Sequence, residues 1–235
     1  MIRIRRSDER GHADHGWLDT HHTFSFADYH DPDFMGFSVL RVLNQDRVAP
    51  GHGFPRHGHR DMEIVSVVLE GVLEHEDSLG NGSQMRPGEV QLMSAGTGVL
   101  HSEYNGSEKD PLHFLQMWIE PARRGTKPRY EQKMFAPAER RGRLRLVVSP
   151  DARDGSLTIA QDARLFAATL DGAEKIRHEL APERVAWLHV ARGKLTLNGE
   201  LLGPGDGAAI VDEKALALEH GEGAELVLWE LPTRA

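Results

Sequence analysis

The sequence predicts an all-β protein of two related β domains with little helix. Three observations carry this prediction. The apolar segments are short and rich in Val, Ile and Leu. Turn-forming residues separate them, with 24 glycines and 12 prolines in 235 residues. One order of segments occurs twice.

In chain order, residues 64–69, 90–93, 114–119, 144–148, 185–190, 195–197, 208–211 and 226–229 read as strands, because β-branched residues suit a pleated surface. The longest apolar run, Ile64-Val-Ser-Val-Val-Leu69, is far short of the ~20 residues of a membrane span. Asn198-Gly199 between Leu195-Thr-Leu197 and Leu201-Leu202 marks a hairpin, since both turn residues tolerate positive φ. Pro87-Gly88 and Pro204-Gly205 mark two further turns. The basic stretches 121–129 and 137–143 read as solvated connections. Helix is expected only in short turns near 130–135 and in the second of these connections.

The repeat is a matter of order: strand, glycine turn at Gly71 or Gly193, strand, Pro-Gly-acid turn, strands and Trp-x-x-Pro. Val67-Val-Leu-Glu-Gly71 is followed by Pro87-Gly88-Glu89 and then Trp118-Ile-Glu-Pro121; Leu188-His-Val-Ala-Arg-Gly193 is followed by Pro204-Gly205-Asp206 and then Trp229-Glu-Leu-Pro232. This divides the chain into residues 1–125 and 126–235, the second copy being the shorter.

Composition removes several functional classes. There is no cysteine, which excludes a disulfide scaffold, a thiolate zinc site, an iron–sulfur cluster and a cysteine nucleophile. The net charge of −8 with no long basic run argues against nucleic-acid binding. The first ten residues contain no apolar run of signal-peptide type. A cytoplasmic, monomeric protein that binds no membrane is the expectation.

Of 14 histidines, eleven fall in residues 1–120. His57 and His59 are two apart, so in an extended chain both imidazoles face one side and can converge on one metal. His101 and Glu103 repeat that spacing. A strand pair presenting His-x-His against His-x-Glu offers three nitrogens and one oxygen. A six-coordinate ion would keep two positions open, as catalytic sites do. Neutral imidazole suits Fe, Cu, Ni, Co or Zn better than Mg or Ca. Glu63 shares parity with His57 and His59 and competes for the oxygen position, although it lies ~13 Å of extended chain beyond His59.

These residues carry a resemblance. Gly51 to Glu63 resembles the first cupin motif, and Gly98-x2-His101-x3-Asn105 resembles the end of the second. Gly16-Trp-Leu-Asp-Thr-His-His-Thr-Phe-Ser-Phe26, Asp31-Pro-Asp-Phe-Met-Gly-Phe37, His57-Gly-His59-Arg-Asp-Met-Glu63, Met93-Ser-Ala-Gly-Thr-Gly98, His101-Ser-Glu103 and Ser149-Pro-Asp-Ala-Arg-Asp-Gly155 resemble the pirin family, and closely its bacterial quercetin 2,3-dioxygenase-type members. Three departures are small: Gly58 stands where many pirins have proline, the spacing from Glu63 to Gly71 is one residue longer than the general cupin pattern, and no proline precedes Gly98. The resemblance implies a bicupin of two β-barrels, with one divalent metal, Fe(II) foremost and Cu, Ni, Co, Mn or Zn as substitutes, in the first. It implies His57, His59, His101 and Glu103 as ligands, and Glu63 as a non-ligand.

The function so implied is cleavage of a flavonol such as quercetin by O2 with loss of CO, Glu103 accepting the proton of the substrate 3-hydroxyl. The alternative is a metal- or redox-dependent regulator that binds a transcription factor or metabolic enzyme. An apolar cavity beside the metal favours the enzyme, and a closed site with a charged outer patch favours the regulator. Among other residues, His12, His15, His21, His22 and His30 read as solvated or core histidines, some of them near the pocket mouth. Phe24, Phe26 and Phe37 read as core. Met62, Met93 and Met117 read as core or as a cavity floor. His75, in Glu74-His-Glu-Asp77, reads as part of a metal-binding run and equally as part of a solvated hairpin.

Overall fold

A computed structural model describes residues 1–233. Residues 1–125 contribute β1 (Ile2–Arg5), β2 (Gly11–Asp14), β3 (Leu18–His22), β4 (Leu40–Val48), β5 (Gly53–His59), β6 (Glu63–Glu70), β7 (Leu73–Asp77), β8 (Gly82–Met85), β9 (Glu89–Ser94), β10 (Val99–Asn105) and β11 (Leu112–Ile119). The C-terminal half contributes β12 (Arg129–Met134), β13 (Arg145–Ser149), β14 (Leu157–Thr158), β15 (Arg164–Leu170), β16 (Ile176–Glu179), β17 (Arg184–Leu197), β18 (Glu200–Leu202), β19 (Gly207–Ile210) and β20 (Ala215–Pro232).

The first barrel is a seven-stranded sheet, β12-β9-β6-β11-β4-β3-β2, facing a four-stranded sheet, β5-β10-β7-β8. The second is one nine-stranded sheet built on β17 and β20. Each is completed across the division. β1 pairs with β19 in the second sheet, and β12 pairs with β9 in the first.

Strand parity explains how the halves meet. In β6, Val65, Val67 and Leu69 enter one large apolar core, while Ile64 and Val68 point into the first barrel. In β11, Leu115, Met117 and Ile119 do the same, and Phe114 points inward. The second half mirrors this. Trp187, Val227, Trp229 and Leu231 join the large core, while Ala186, Leu188, Leu226 and Leu228 fill the second barrel. The Trp229 indole N–H reaches the Met117 sulfur at 3.1 Å. Central strands are therefore buried on both faces, which is why they read as continuous apolar runs instead of alternating ones.

Several local expectations are met. Asn198 and Gly199 both take positive φ, at 48° and 89°, between paired Leu197 and Glu200. Three expectations are corrected. Residues 130–135 form no helical turn, because β12 satisfies its backbone on the edge of β9. The only α-helix among the described residues is Pro137–Arg140. Its Arg140 is buried against Glu225 at 3.2 Å and is not solvated. The two segments around Gly193 are one strand, β17, in which Gly193 is a bulge and not a turn.

Gly193 has φ of +64°, and a β-carbon there would stand 2.3 Å from the carbonyl oxygen of Gly223. Gly193→Ala is therefore expected to lower stability by about 1–3 kcal/mol, read as a lower urea midpoint with an unchanged slope.

Candidate metal centre

β5 and β10 pair antiparallel with His57 opposite His101. A bulge between His101 and Glu103 then places Glu103 opposite Phe54. Alternation along β10 buries His101 and Glu103 and exposes Leu100 and Tyr104. The ring centroids of His57, His59 and His101 lie 4.4–4.9 Å apart. Their donor atoms form one cluster within 4.8 Å, and His75, His101 and Glu103 form a second within the same distance. His57, His59 and His101 thus meet in one cluster, and Glu103 falls in the other, which shares His101.

The donor set suits a divalent cation. The His57 Nδ1–H donates to the Pro55 carbonyl at 2.9 Å, leaving the Nε2 lone pair free. That Nε2 lies 3.0 Å from His101 Nε2. Two nitrogens each about 2.1 Å from one ion and at right angles stand at about this separation. Glu103 Oε2 accepts a hydrogen bond from Gln116 at 2.6 Å, while the buried Oε1 has no partner. An orphaned buried carboxylate oxygen calls for a cation or a proton. Burial, and then His57, holds His59 down to about 4; burial, and then His57 and His59, lowers His101 too. Neutral imidazoles are the form that ligates metal. Burial pushes Glu103 upward, a penalty that a bound cation would offset.

His75 is the residue that sequence reasoning underrated. It is fully buried, its Nε2 lies 3.2 Å from Asp77 Oδ2, and its Nδ1 lies 3.5 Å from His101 Nδ1. Asp77 is in turn fixed by Asn81 and the Leu79 N–H. This chain orients the His101 ring and leaves its Nε2 facing His57. The sequence signal was there in the alternation of Leu73, His75 and Asp77, masked by the acidic residues between them. Glu63 serves elsewhere: it accepts from Ser94 at 2.8 Å and from the Ala160 N–H at 3.1 Å. His12, Asp19 and His21 form a third, surface cluster, with His12 2.8 Å from Asp19.

A cavity of about 400 Å³ opens beside His57, His59 and Glu103. Leu18, Phe26, Phe54 and Trp118 form its apolar walls. Phe26 is thus a wall and not core, edge-on to Trp118 at 5.3 Å. Phe24 is core, as are Met93 and Met117. Polar groups line it too: His22 Nδ1 and Asn44 Oδ1 are buried without partners, and Asp46 is pushed up to about 7 by burial while accepting from Thr20 at 2.5 Å. The cavity uses even-numbered residues of β3 and β4, namely Leu18, Thr20, His22, Asn44 and Asp46. Their odd neighbours His21, Gln45 and Arg47 face the other way, into a cleft against the second barrel.

Fold and site together define a bicupin with a histidine-rich candidate cation site in its first barrel. The chain belongs to the pirin family: the Pirin model matches residues 3–119, and the quercetinase C-terminal cupin domain model matches residues 146–231. It is 50% identical over 232 residues to quercetin 2,3-dioxygenase of Escherichia coli K12, covering 99% of each chain. It is 42% identical to a pirin-like protein of Caulobacter vibrioides, covering 97% of this chain and 98% of that one. The crystal structure of the E. coli bacterial pirin YhhW in complex with nickel(II) superposes with a TM-score of 0.94 at 51% identity, covering all of both chains. Among the described residues, no helix is long and apolar enough to cross a membrane.

Two expectations follow. Replacing His57 and His101 together by Ala abolishes stoichiometric metal content, and Asp77→Asn weakens metal affinity by about 10–100-fold, both read by metal analysis after dialysis against a graded chelator. In the metal-free protein, burial lowers six histidines (His21, His22, His59, His101, His113, His189) and raises three carboxyls (Asp46, Glu63, Glu103). Below pH 6.5 the unfolded imidazoles take up protons that the folded ones refuse, so acid favours unfolding; the three raised carboxyls, which bind protons more readily when folded, oppose this with fewer groups. Unfolding free energy is therefore lower at pH 5 than at pH 7, measured by urea titration at both.

Proposed function

We propose that this protein is a metal-dependent dioxygenase that cleaves a flavonol such as quercetin with O2. His57, His59, His101 and Glu103 hold the ion, Fe(II), in the N-terminal domain of residues 1–125. The observation that carries this reading is the apolar cavity of about 400 Å³ that ends on these side chains. Its size falls in the range of small-ligand pockets, and an open cavity favours turnover over partner regulation. The names of the relatives support the substrate class.

A bound divalent ion supplies Lewis acidity that makes a ligated hydroxyl easier to deprotonate. The remaining work falls to the chain. Phe26, Phe54 and Trp118 hold a flat aromatic substrate by face and edge contacts and keep bulk water from it. The Glu103 carboxylate, whose Oε1 has no hydrogen-bond partner in the protein, takes the proton of the 3-hydroxyl. Gln116 fixes the other oxygen of that carboxylate and is itself fixed by the Trp118 indole N–H at 3.2 Å, so the base is held in position. Asn44, His22 and Asp46 offer hydrogen-bonding groups to the substrate's other hydroxyls.

The test is direct. Protein loaded with quantified Fe, given quercetin in air, is expected to bleach the flavonol absorbance and release CO. Glu103→Gln, compared at equal metal content, is expected to lose about 10²–10⁴ in kcat. Absence of turnover with Fe, Mn, Co, Ni and Cu would overturn the proposal.

A further inference from the structure

A second cavity, of about 310 Å³, lies in the cleft between the two barrels. Arg10, Arg47 and Arg192 line it with His21, His113 and Gln45, and no carboxylate does. Arg10 is only 7% exposed. Its Nη2 donates to Ser7 at 3.2 Å and its Nη1 reaches Gln45 at 3.4 Å, while its Nε has no partner. Two carboxylates act on Arg10 through space, and both are committed elsewhere. Asp206 accepts from Arg6 and from the Ser7 N–H, each at 2.8 Å. Asp46 faces the other cavity. Arg47 is exposed and forms no ion pair among the described residues. Arg192 has its charge met by Glu70 at 3.0 Å.

The cleft is therefore a cationic recess with two unmatched guanidiniums. Burial, and then Arg47 and Arg192, pushes His113 down to about 3, which shows the positive field inside it. Gly205 shapes its wall, since a β-carbon there would stand 2.2 Å from the Ser7 hydroxyl and 2.7 Å from Arg10 Nη2. A buried guanidinium without a counter-charge is unfavourable. Planar guanidinium forks match the geometry of carboxylates and phosphates.

We infer that this inter-barrel cleft binds a small, multiply charged oxyanion, contacted by Arg10 and Arg47 and closed by Arg192 from the second barrel. Carboxylate and phosphate share the chemistry that the site recognises. Binding here is independent of turnover at the metal.

The test is calorimetric titration of the full-length, metal-loaded protein with inorganic phosphate and, separately, citrate, at constant ionic strength against chloride. Saturable binding at millimolar concentration or tighter is expected for at least one anion, and which one binds identifies the source. Arg47→Ala, an exposed position, is expected to weaken it by at least about tenfold. Arg123→Ala, which removes an exposed arginine outside the cleft, is expected to leave it unchanged. A bound anion should also raise the thermal midpoint of the wild-type chain and not of Arg47→Ala. No saturable binding of either anion, or an equal loss in both variants, overturns the inference.

Discussion

The register that sets His101 opposite His57 is the constraint on which the site depends. Strands β5 and β10 could pair in other ways, but only this one brings Nε2 to Nε2 at 3.0 Å. A bulge directly after His101 then re-aims Glu103. Its carboxylate turns toward Gln116, a residue of the opposite sheet. The cluster is therefore clamped between the two sheets of the first barrel. The chain from Asp77 through His75 anchors the ring of His101 from a third strand, β7. Rigid strands supply the donor geometry, and β3, β4 and β11 of the facing sheet share the cavity wall with Phe54 of β5.

The second barrel contributes by packing. Its sheet lies against the outer face of the first through Trp187, Trp229 and their neighbours. That contact buries strands β6 and β11 on both faces and so stiffens the wall behind the cavity. The exchanged strands β1 and β12 tie the halves together by backbone pairing as well as by side chains. Its three histidines pair with Glu230, Gln45 and Thr196 and form no donor cluster among the described residues.

Much of this was legible in the sequence, for a physical reason: period-two alternation is a local property. It put His57 with His59 and His101 with Glu103, and the Asn198-Gly199 hairpin is equally local. The positions of Gly193 and of β12 were not legible. A glycine in a bulge and a glycine in a turn look alike until the partner strand is known, and an edge strand such as 129–134 takes its form from the ladder it joins. His75 was hidden for a similar reason. Glutamates flanking it suggest solvent, yet they occupy the outer parity and leave the inner one for His75 and Asp77. Glu63 shares the parity of His57 and His59, but its carboxylate faces Ser94 and a backbone amide from the second half, which no local pattern reveals.

Strands β3 and β4 form a partition one residue thick between two unlike chambers. One chamber is apolar and faces the imidazole cluster; the other is lined with arginine. Because successive side chains alternate between them, the partition has no tolerance for an odd change in length. Loss of a single residue within β4 would carry the Arg47 guanidinium into the chamber of the imidazole cluster, where its charge would oppose the binding of a cation, and would leave Asp46 among the remaining arginines. Changes of two residues would preserve both linings. The divergence open to these strands is therefore confined to substitution or to paired insertion and deletion, whereas the loops at their ends are free to vary one residue at a time.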